Sequence, residues 1–316
     1  MDWVRDLREN QQFEGIFLIR SVDQRFTREG KIFLEFVLAD KTGEVRAVWW
    51  DPPPDKLGSF TVNSVVFAKG VGRVYQGKTE LHLESLVVEK EYDIGRFWER
   101  AEMPVEEAIS AMQKAVDEIS QPHLRELLKH VLGREEWKIA PAAKSFHHAV
   151  IGGLAEHTAT LLSFVPHLIK IYPMLNRDVL IAGIILHDVG KLFELSLHTK
   201  IEFTTEGKLL GHIAQGVLFL EQLCREIPDF PESLKTELAH IILSHHGNLE
   251  FGSPVLPKTL EALVIHYIDD LDAKLWSFWH HIRSSPDEES VWKGYHKEMR
   301  REIYYHQERG DEGEAG

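Results

Sequence analysis

The 316-residue chain has a single cysteine, Cys224, so it can form no internal disulfide and no thiolate zinc site. That suits a reducing compartment, and any metal must be held by His, Asp or Glu. Long hydrophobic runs are also missing. The longest, VLIAGIIL from Val179 to Leu186, is far below the roughly 20 residues needed to span a bilayer. The opening residues MDWVRDLREN lack the apolar core of a signal peptide, so no membrane partner and a cytoplasmic location are expected. Positive charge is scarce: 36 Lys and Arg stand against 50 Asp and Glu, for a net charge of −14. This argues against coating nucleic acid through a broad basic surface. The deficit is uneven, with 13 against 14 in residues 1–90 and 23 against 36 in the rest, so the N-terminal third can still hold a basic groove. The 43% hydrophobic content suffices for a sizeable core, and the length predicts two domains.

In the N-terminal third, β-branched and aromatic runs recur between turn signals: EGIFLIRSV, KIFLEFVLAD, EVRAVWW, SVVFAKGVGRVY and KTELHLESLVV. The breaks REG, DKTG, DPPPDKLGS and YQGK include a hairpin signal at Gln76-Gly77. Five short strands in about 80 residues suit a small closed barrel, with the OB-fold as the candidate. Ile32, Leu34, Phe36 and Leu38 alternate towards one face and are read as core. Phe33, with Trp49 or Trp50, Arg73 and Tyr75, would form a stacking and cationic surface for single strands, although aromatics in small barrels more often serve packing. From Met103 the texture becomes helical. The expected fold is therefore α+β multidomain: a five-stranded OB-fold barrel over residues 1–90, a linker over 91–103, an all-α bundle over 104–306, and a mobile polar tail over 307–316.

Seventeen of the 18 histidines lie in the helical part. His157 sits at the edge of the stripe Val150, Leu154, Leu161, Val165, with Gly152 and Gly153 making room one turn earlier. Alone, such a histidine is more often a hydrogen-bonded core residue than a ligand. His187 and Asp188 end the apolar run, about 100° apart on the helix, and converge only on something beyond its end. His212 lies between Gly211 and Gly216; His245 and His246 lie on or beside the stripe of LKTELAHIILSHHG, with His240 facing solvent. In HYIDDLDAK, Asp270 pairs with Lys274 at i, i+4, whereas Asp269 falls on an apolar face and needs a cation. No arginine shares that face, so the cation is read as inorganic. Five segments thus direct His157, His187, Asp188, His212, His245, His246 and Asp269 inward, too many ligands for one ion. Imidazoles with a bridging carboxylate favour octahedral Mn²⁺, Fe²⁺ or Mg²⁺, and leave Co²⁺, Ni²⁺ and Zn²⁺ open. Two ions sharing Asp188 and a bridging hydroxide would suit in-line phosphoester hydrolysis.

The ordered set GGLAEHT, LHDVGK, LLGHI, LSHHG and HYIDDLDAK resembles the metal-binding pattern of the HD-domain phosphohydrolase superfamily. An OB-fold followed by FHHAVIGGLAEHT is similar to the YhaM-type 3′-to-5′ exoribonucleases over nearly the whole chain. The resemblance implies a divalent-metal-dependent exonuclease that acts on single-stranded RNA or DNA and releases 5′-mononucleotides. By that resemblance His157, His187, Asp188 and Asp269 hold a first ion, and Asp188, His212 and His245 or His246 a second. Lys191 meets the phosphate, and His147 and His148 are substrate groups or supports of the ligands. The plainer reading of Lys191 is a helix-end lysine facing the helix dipole.

Two rivals remain. A phosphohydrolase of small or cyclic nucleotides has little use for an OB-fold, and where a cyclic-di-GMP enzyme has a GYP motif this chain has GNLEFGSPVLP. A non-catalytic RNA-binding protein with a structural metal has little use for Asp188 with Lys191. A homo-oligomer is compatible with the chain, but no signature counts subunits.

Overall fold

The computed structural model describes residues 1–143, 148–197, 201–285 and 289–306; His147 and the predicted tail, residues 307–316, lie outside them. The chain divides into two compact units, Met1–Arg100 with Ser196–Glu202, and Ala101–Leu195 with the chain from Phe203 onward. Among the described residues no helix is long and apolar enough to cross a membrane.

The first unit is a closed barrel of β1 (Gln12–Phe26), β2 (Ile32–Asp40), β3 (Gly43–Trp50), β4 (Val65–Tyr75) and β5 (Lys78–Val88), in the order β1-β2-β3-β5-β4. This is the expected OB-fold. β1 is long enough to serve two neighbours: its first half pairs with β4, its second with β2, and an irregularity between Ile19 and Ser21 marks the change of partner. A parallel contact, Ala47 with Leu81 and Val48 with His82, closes the barrel. A Cβ on Gly70 would lie 2.1 Å from the His82 carbonyl, so only glycine lets β4 curl onto β5 there. Positive φ at both Gln76 and Gly77 makes the tight hairpin between β4 and β5. Period-two alternation fills the interior with Phe17, Leu34, Phe36, Leu38, Trp49 and Leu81. Ile32, read as core, is only half-buried because it sits at the strand end. Beyond the last strand, Arg96 Nε donates to the Ile16 carbonyl (2.7 Å) and Phe97 packs with Ile16, Leu18 and Val65. The stretch read as a linker is thus partly built onto the barrel.

The second unit contains α1 (Val105–Asp117), α2 (Pro122–Leu132), α3 (Gly153–Ile171), α4 (Arg177–Leu186), α5 (Lys191–Glu194), α6 (Thr205–Glu226), α7 (Glu232–Ser244) and α8 (Leu260–Arg283). Helix α4 is central: every residue from Val179 to Leu186 is buried, and α3, α7 and α8 pack around it. That is why its sequence is apolar on all sides. Two short ribbons among the described residues depart from the all-α expectation for residues 104–306: β6 (Leu195–Leu197) with β7 (Ile201–Phe203), whose residues 196–202 group with the first unit, and, within the second unit, the antiparallel pair β8 (Trp292–His296) and β9 (Arg301–Tyr304). Strands of three to five residues are too short to show a clear alternation.

Candidate metal centre

A helix buried on all sides can carry polar groups only where it ends, and α4 ends at His187, with Asp188 to Gly190 forming the turn into α5. His187 Nδ1–H donates to the Ile184 carbonyl one turn back (2.7 Å). The carbonyl can only accept, so Nε2 carries the lone pair and faces the site. The end of α7 repeats the device: His245 Nδ1–H donates to Ile242 O (2.8 Å), and His246 Nδ1–H to Phe251 O (2.8 Å). Backbone carbonyls at the end of each helix, or in the turn that follows α7, thus set the tautomer of these three rings.

His157, fully buried on α3, donates Nδ1–H to Asp272 (2.7 Å) and places Nε2 3.2 Å from Asp269 Oδ1 and 3.4 Å from His187 Nε2. Asp188 Oδ2 lies 3.4 Å from His187 Nε2. His157, His187 and Asp269 form one cluster, which Asp188 adjoins through His187. The other oxygen, Asp188 Oδ1, lies 3.4 Å from His245 Nε2 and 3.6 Å from His212 Nε2, and His246 joins these two rings in a second cluster. His212 is aimed by a kink in α6, where Gly211 has φ 71°, and is held by Glu194, whose carboxylate accepts from its backbone N–H (2.9 Å) and its Nδ1–H (3.2 Å). A Cβ on Gly190 would lie 1.9 Å from the His212 carbonyl, so the turn after Asp188 reaches α6 only as glycine.

Asp188 Oδ1, His212 Nε2 and His245 Nε2 are buried and make no hydrogen bond. An unsatisfied buried polar group costs about 1–3 kcal/mol, and these three lone-pair donors converge on one point. A divalent cation satisfies all three at once. The all-N/O donor set therefore fits such an ion, with Asp188 presenting one oxygen to each cluster.

Burial opposes ionisation of Asp188, but Lys191 and His187 hold its carboxyl well below the usual range. Asp269 and Asp272 are lowered in the same way, against burial, by the hydrogen bonds of His157 and, for Asp272, of His148. Burial would push His157 down; Asp269 and Asp272 overcome it and raise its pKa to about 9. Burial dominates at His245, whose pKa falls to about 4, so that ring is neutral and available as a ligand at pH 7. His148 is buried behind His157, with Nδ1 2.7 Å from Glu156 and Nε2 3.1 Å from Asp272, and its ring packs on Trp276. His148, His157 and Asp272 are also close enough to hold an ion. Both ring nitrogens of His148 face carboxylates, however, and the group shares only the Nδ1 side of His157, so it reads as a hydrogen-bonded support.

The seven expected ligands are therefore brought together. Lys191 opens α5, where a helix dipole does not favour a cation; it is buried, with Nζ 2.6 Å from Asp188 Oδ2. Three details depart from expectation. The cationic partner of Asp269 within the chain is His157 itself. Gly153 makes room for the His148 carbonyl, which a Cβ would approach to 2.1 Å, while Gly152 turns the chain at φ 75°. His240 is half-buried and accepts from Lys258 N–H (2.9 Å). Asp272, Glu194 and Glu156 join the site without being among the residues expected from the sequence. Asp272 was within reach of the helical pattern, since it lies three residues after Asp269 on the same face; Glu194 sits in a single turn with no periodicity to show its direction.

On the barrel, Phe33 and Trp50 are cross-strand partners with ring centroids 4.6 Å apart, and Trp50 lies 6.2 Å from the His82 ring. Trp50 is 47% exposed and Trp49 7%, which settles which tryptophan faces outward. Tyr75 is exposed, with the Arg46 guanidinium 5.4 Å over its ring. Arg46 pairs with Glu35 and Glu80, His82 with Glu80 (2.7 Å), and Arg73 with Asn10. Arg46 and His82 were not foreseen.

A family model described as "HD domain" matches residues 150–274. Together with the paired clusters around His187 and Asp188, this defines an HD-domain hydrolase joined to an OB-fold. The 3′-5′ exoribonuclease YhaM of Geobacillus sp. (strain WCH70) is 37% identical over 270 residues, covering 84% of this chain and 83% of that protein. The YhaM of Bacillus velezensis is 35% identical over 84% of this chain and 86% of its own length. The chain belongs to the YhaM family of 3′-5′ exoribonucleases. Among solved structures, a replication protein A domain from Methanococcus maripaludis aligns at 16% identity and a TM-score of 0.24, over 28% of this chain and 96% of that one.

Proposed function

We infer that this chain is a metal-dependent 3′-to-5′ exoribonuclease that removes 5′-mononucleotides from single-stranded RNA, with single-stranded DNA as a secondary substrate. The family supports the activity. The observation that supports its chemistry is the convergence of three buried atoms without hydrogen bonds, Asp188 Oδ1, His212 Nε2 and His245 Nε2. His157, His187, Asp269 and Asp188 Oδ2 would hold one divalent ion, and Asp188 Oδ1, His212, His245 and His246 a second, with Mn²⁺ the best match to the donors. Bound there, such ions supply Lewis acidity and a nucleophile at neutral pH.

The chain's own groups do the rest. Asp272, Glu194 and the carbonyls of Ile184, Ile242 and Phe251 hold each ring's Nδ1 side and so orient its Nε2. Burial around His157, His187 and His245 excludes bulk water and strengthens every charge interaction. Lys191, whose Nζ donates to Asp188 Oδ2, would meet a non-bridging phosphate oxygen, where negative charge grows in the transition state. The bond broken joins phosphorus to the O3′ of the penultimate nucleotide. The mononucleotide leaves with a 5′ phosphate and the shortened strand keeps a 3′ hydroxyl. Phe33, Trp50, Tyr75 and Arg73 bind the strand on the barrel through stacking and charge.

A 5′-labelled single-stranded RNA incubated with the protein and Mn²⁺ should give a ladder shortening from the 3′ end. Asp188→Ala should abolish both the ladder and metal content while leaving RNA binding intact. Intact RNA beside rapid hydrolysis of mononucleotides or cyclic dinucleotides would overturn the reading, as would a retained ladder in Asp188→Ala.

A further inference from the structure

Outside residues 150–274, which the HD-domain family matches, the chain ends its described part in the β8–β9 ribbon. Its cross-strand pairs place Trp292 beside Tyr304 and Tyr295 beside Glu302. A register irregularity between Trp292 and Tyr295 keeps both on the face of Tyr304 and Glu302, while Ile303 and the pair His296–Arg301 belong to the other, with the Arg301 side chain exposed at its edge. The second face is anchored: Ile303 is 2% exposed, His296 Nε2 meets Ser277 Oγ of α8 (3.0 Å), and the His281 ring of α8 donates to the Lys293 carbonyl (3.0 Å). The first face is open, with Trp292, Tyr295 and Tyr304 55%, 56% and 57% exposed and the Trp292 and Tyr304 rings 5.2 Å apart. At the tip, Lys297, Arg300 and Arg301 are exposed. Residues 292–304 carry four Lys and Arg, one of them the buried Lys293, against two Glu, in a chain whose net charge is −14.

We propose that this ribbon is a second binding element for single-stranded RNA, in which bases stack on Trp292, Tyr304 and Tyr295 and phosphates meet Lys297, Arg300 and Arg301. Large exposed aromatics flanked by basic side chains match the two recognisable features of a single strand, its unpaired bases and its phosphates. A purely protein-binding patch has no need of the basic tip. The position suits the chemistry, because α8 carries both Asp269 and the ribbon's anchor Ser277. They lie eight positions apart, about 12 Å along the helix. A strand whose 3′ end is at the metal centre has nucleotides within reach of the ribbon, which is net positive within an otherwise acidic unit. The inference rests on the exoribonuclease reading and names where that substrate is held.

The test uses the full chain with Mn²⁺ and two substrates, a single-stranded RNA of about 15 nucleotides and bis-p-nitrophenyl phosphate. Trp292→Ala should raise KM for the RNA about tenfold, the usual loss for one base–aromatic stack, with kcat and bis-p-nitrophenyl phosphate hydrolysis unchanged. Trp292→Phe should restore KM, which a merely structural role would not require. Arg300→Ala with Arg301→Ala should make the log–log dependence of RNA affinity on salt shallower, by about 0.7 in slope for each phosphate left without its arginine. An unchanged RNA KM in both variants overturns the proposal, and so does a shift of Trp292→Ala to smaller assemblies in light scattering with KM unchanged, which would make the face a subunit contact. If the unmodified protein hydrolyses bis-p-nitrophenyl phosphate but not RNA, the exoribonuclease reading fails instead.

Discussion

Replacing Asp272 tests whether a residue that is not a ligand governs the metal centre. Its Oδ2 accepts from His157 Nδ1 (2.7 Å) and lies 3.1 Å from His148 Nε2, so one oxygen orients two rings. Asp272→Asn keeps the shape and removes the charge; the amide oxygen can still accept one weaker bond, and the His157 ring is freed to rotate or change tautomer. Loss of such a support lowers metal affinity by roughly 10–100-fold, equivalent to about 1.4–2.7 kcal/mol. Asp272→Asn should fall near the lower figure and Asp272→Ala near the upper. Isothermal titration of the chelator-treated protein with Mn²⁺ reads the affinity, and RNA degradation at saturating Mn²⁺ should recover most of kcat. Unchanged affinity in Asp272→Ala would refute the orienting role. A kcat loss that saturating metal does not repair would place Asp272 in the chemistry itself.

Three further outcomes are expected. In the absence of metal, His157 is protonated up to a pKa of about 9, against 6.5 for the free group. That ion pair contributes stability fully below about pH 6.5 and loses it as pH rises through about 9, at most about 3 kcal/mol for such a shift, so the Tm of chelator-treated protein should fall across this window. The same proton competes with metal, and apparent Mn²⁺ affinity should rise between pH 7 and 9; a flat profile would contradict the assignment. Gly190→Ala forces a methyl to 1.9 Å from the His212 carbonyl, and overpacking against backbone should cost about 1–3 kcal/mol or more in denaturant melts, with metal binding impaired through His212. Trp50→Ala, at the exposed half of the Phe33 pair, should weaken single-stranded RNA binding about tenfold in a filter-binding assay; wild-type affinity would remove Trp50 from the interface.

Much was legible in the sequence because it depends on local periodicity. Alternation along β2 and β5 identified barrel strands, since a strand with one face in a core must repeat every second residue. Helical spacing put His157, His245 and Asp269 on buried faces, and the run Val179–Leu186 marked a helix buried all round. It also separated Asp269 from Asp270, whose carboxylate pairs with Lys274 as the i, i+4 spacing predicts. What periodicity cannot give is the direction of a side chain at a chain reversal. His187 and Asp188 leave α4 at its end, and a dipeptide there carries no angle of its own.

The tertiary structure alone decided that Asp188 turns one oxygen to each cluster, that Glu194 and a kink at Gly211 aim His212, and that His148 stands behind His157. It also decided that Trp50, rather than Trp49, faces outward. The physical reason is one of range. Amphipathic pattern and ligand type are properties of a few neighbouring residues, and the sequence by itself determined those. The convergence of α3, α4, α6, α7 and α8 on a single carboxylate depends on how helices far apart in the chain pack around α4, and the close approach of Gly190 to α6 is visible only once they have packed.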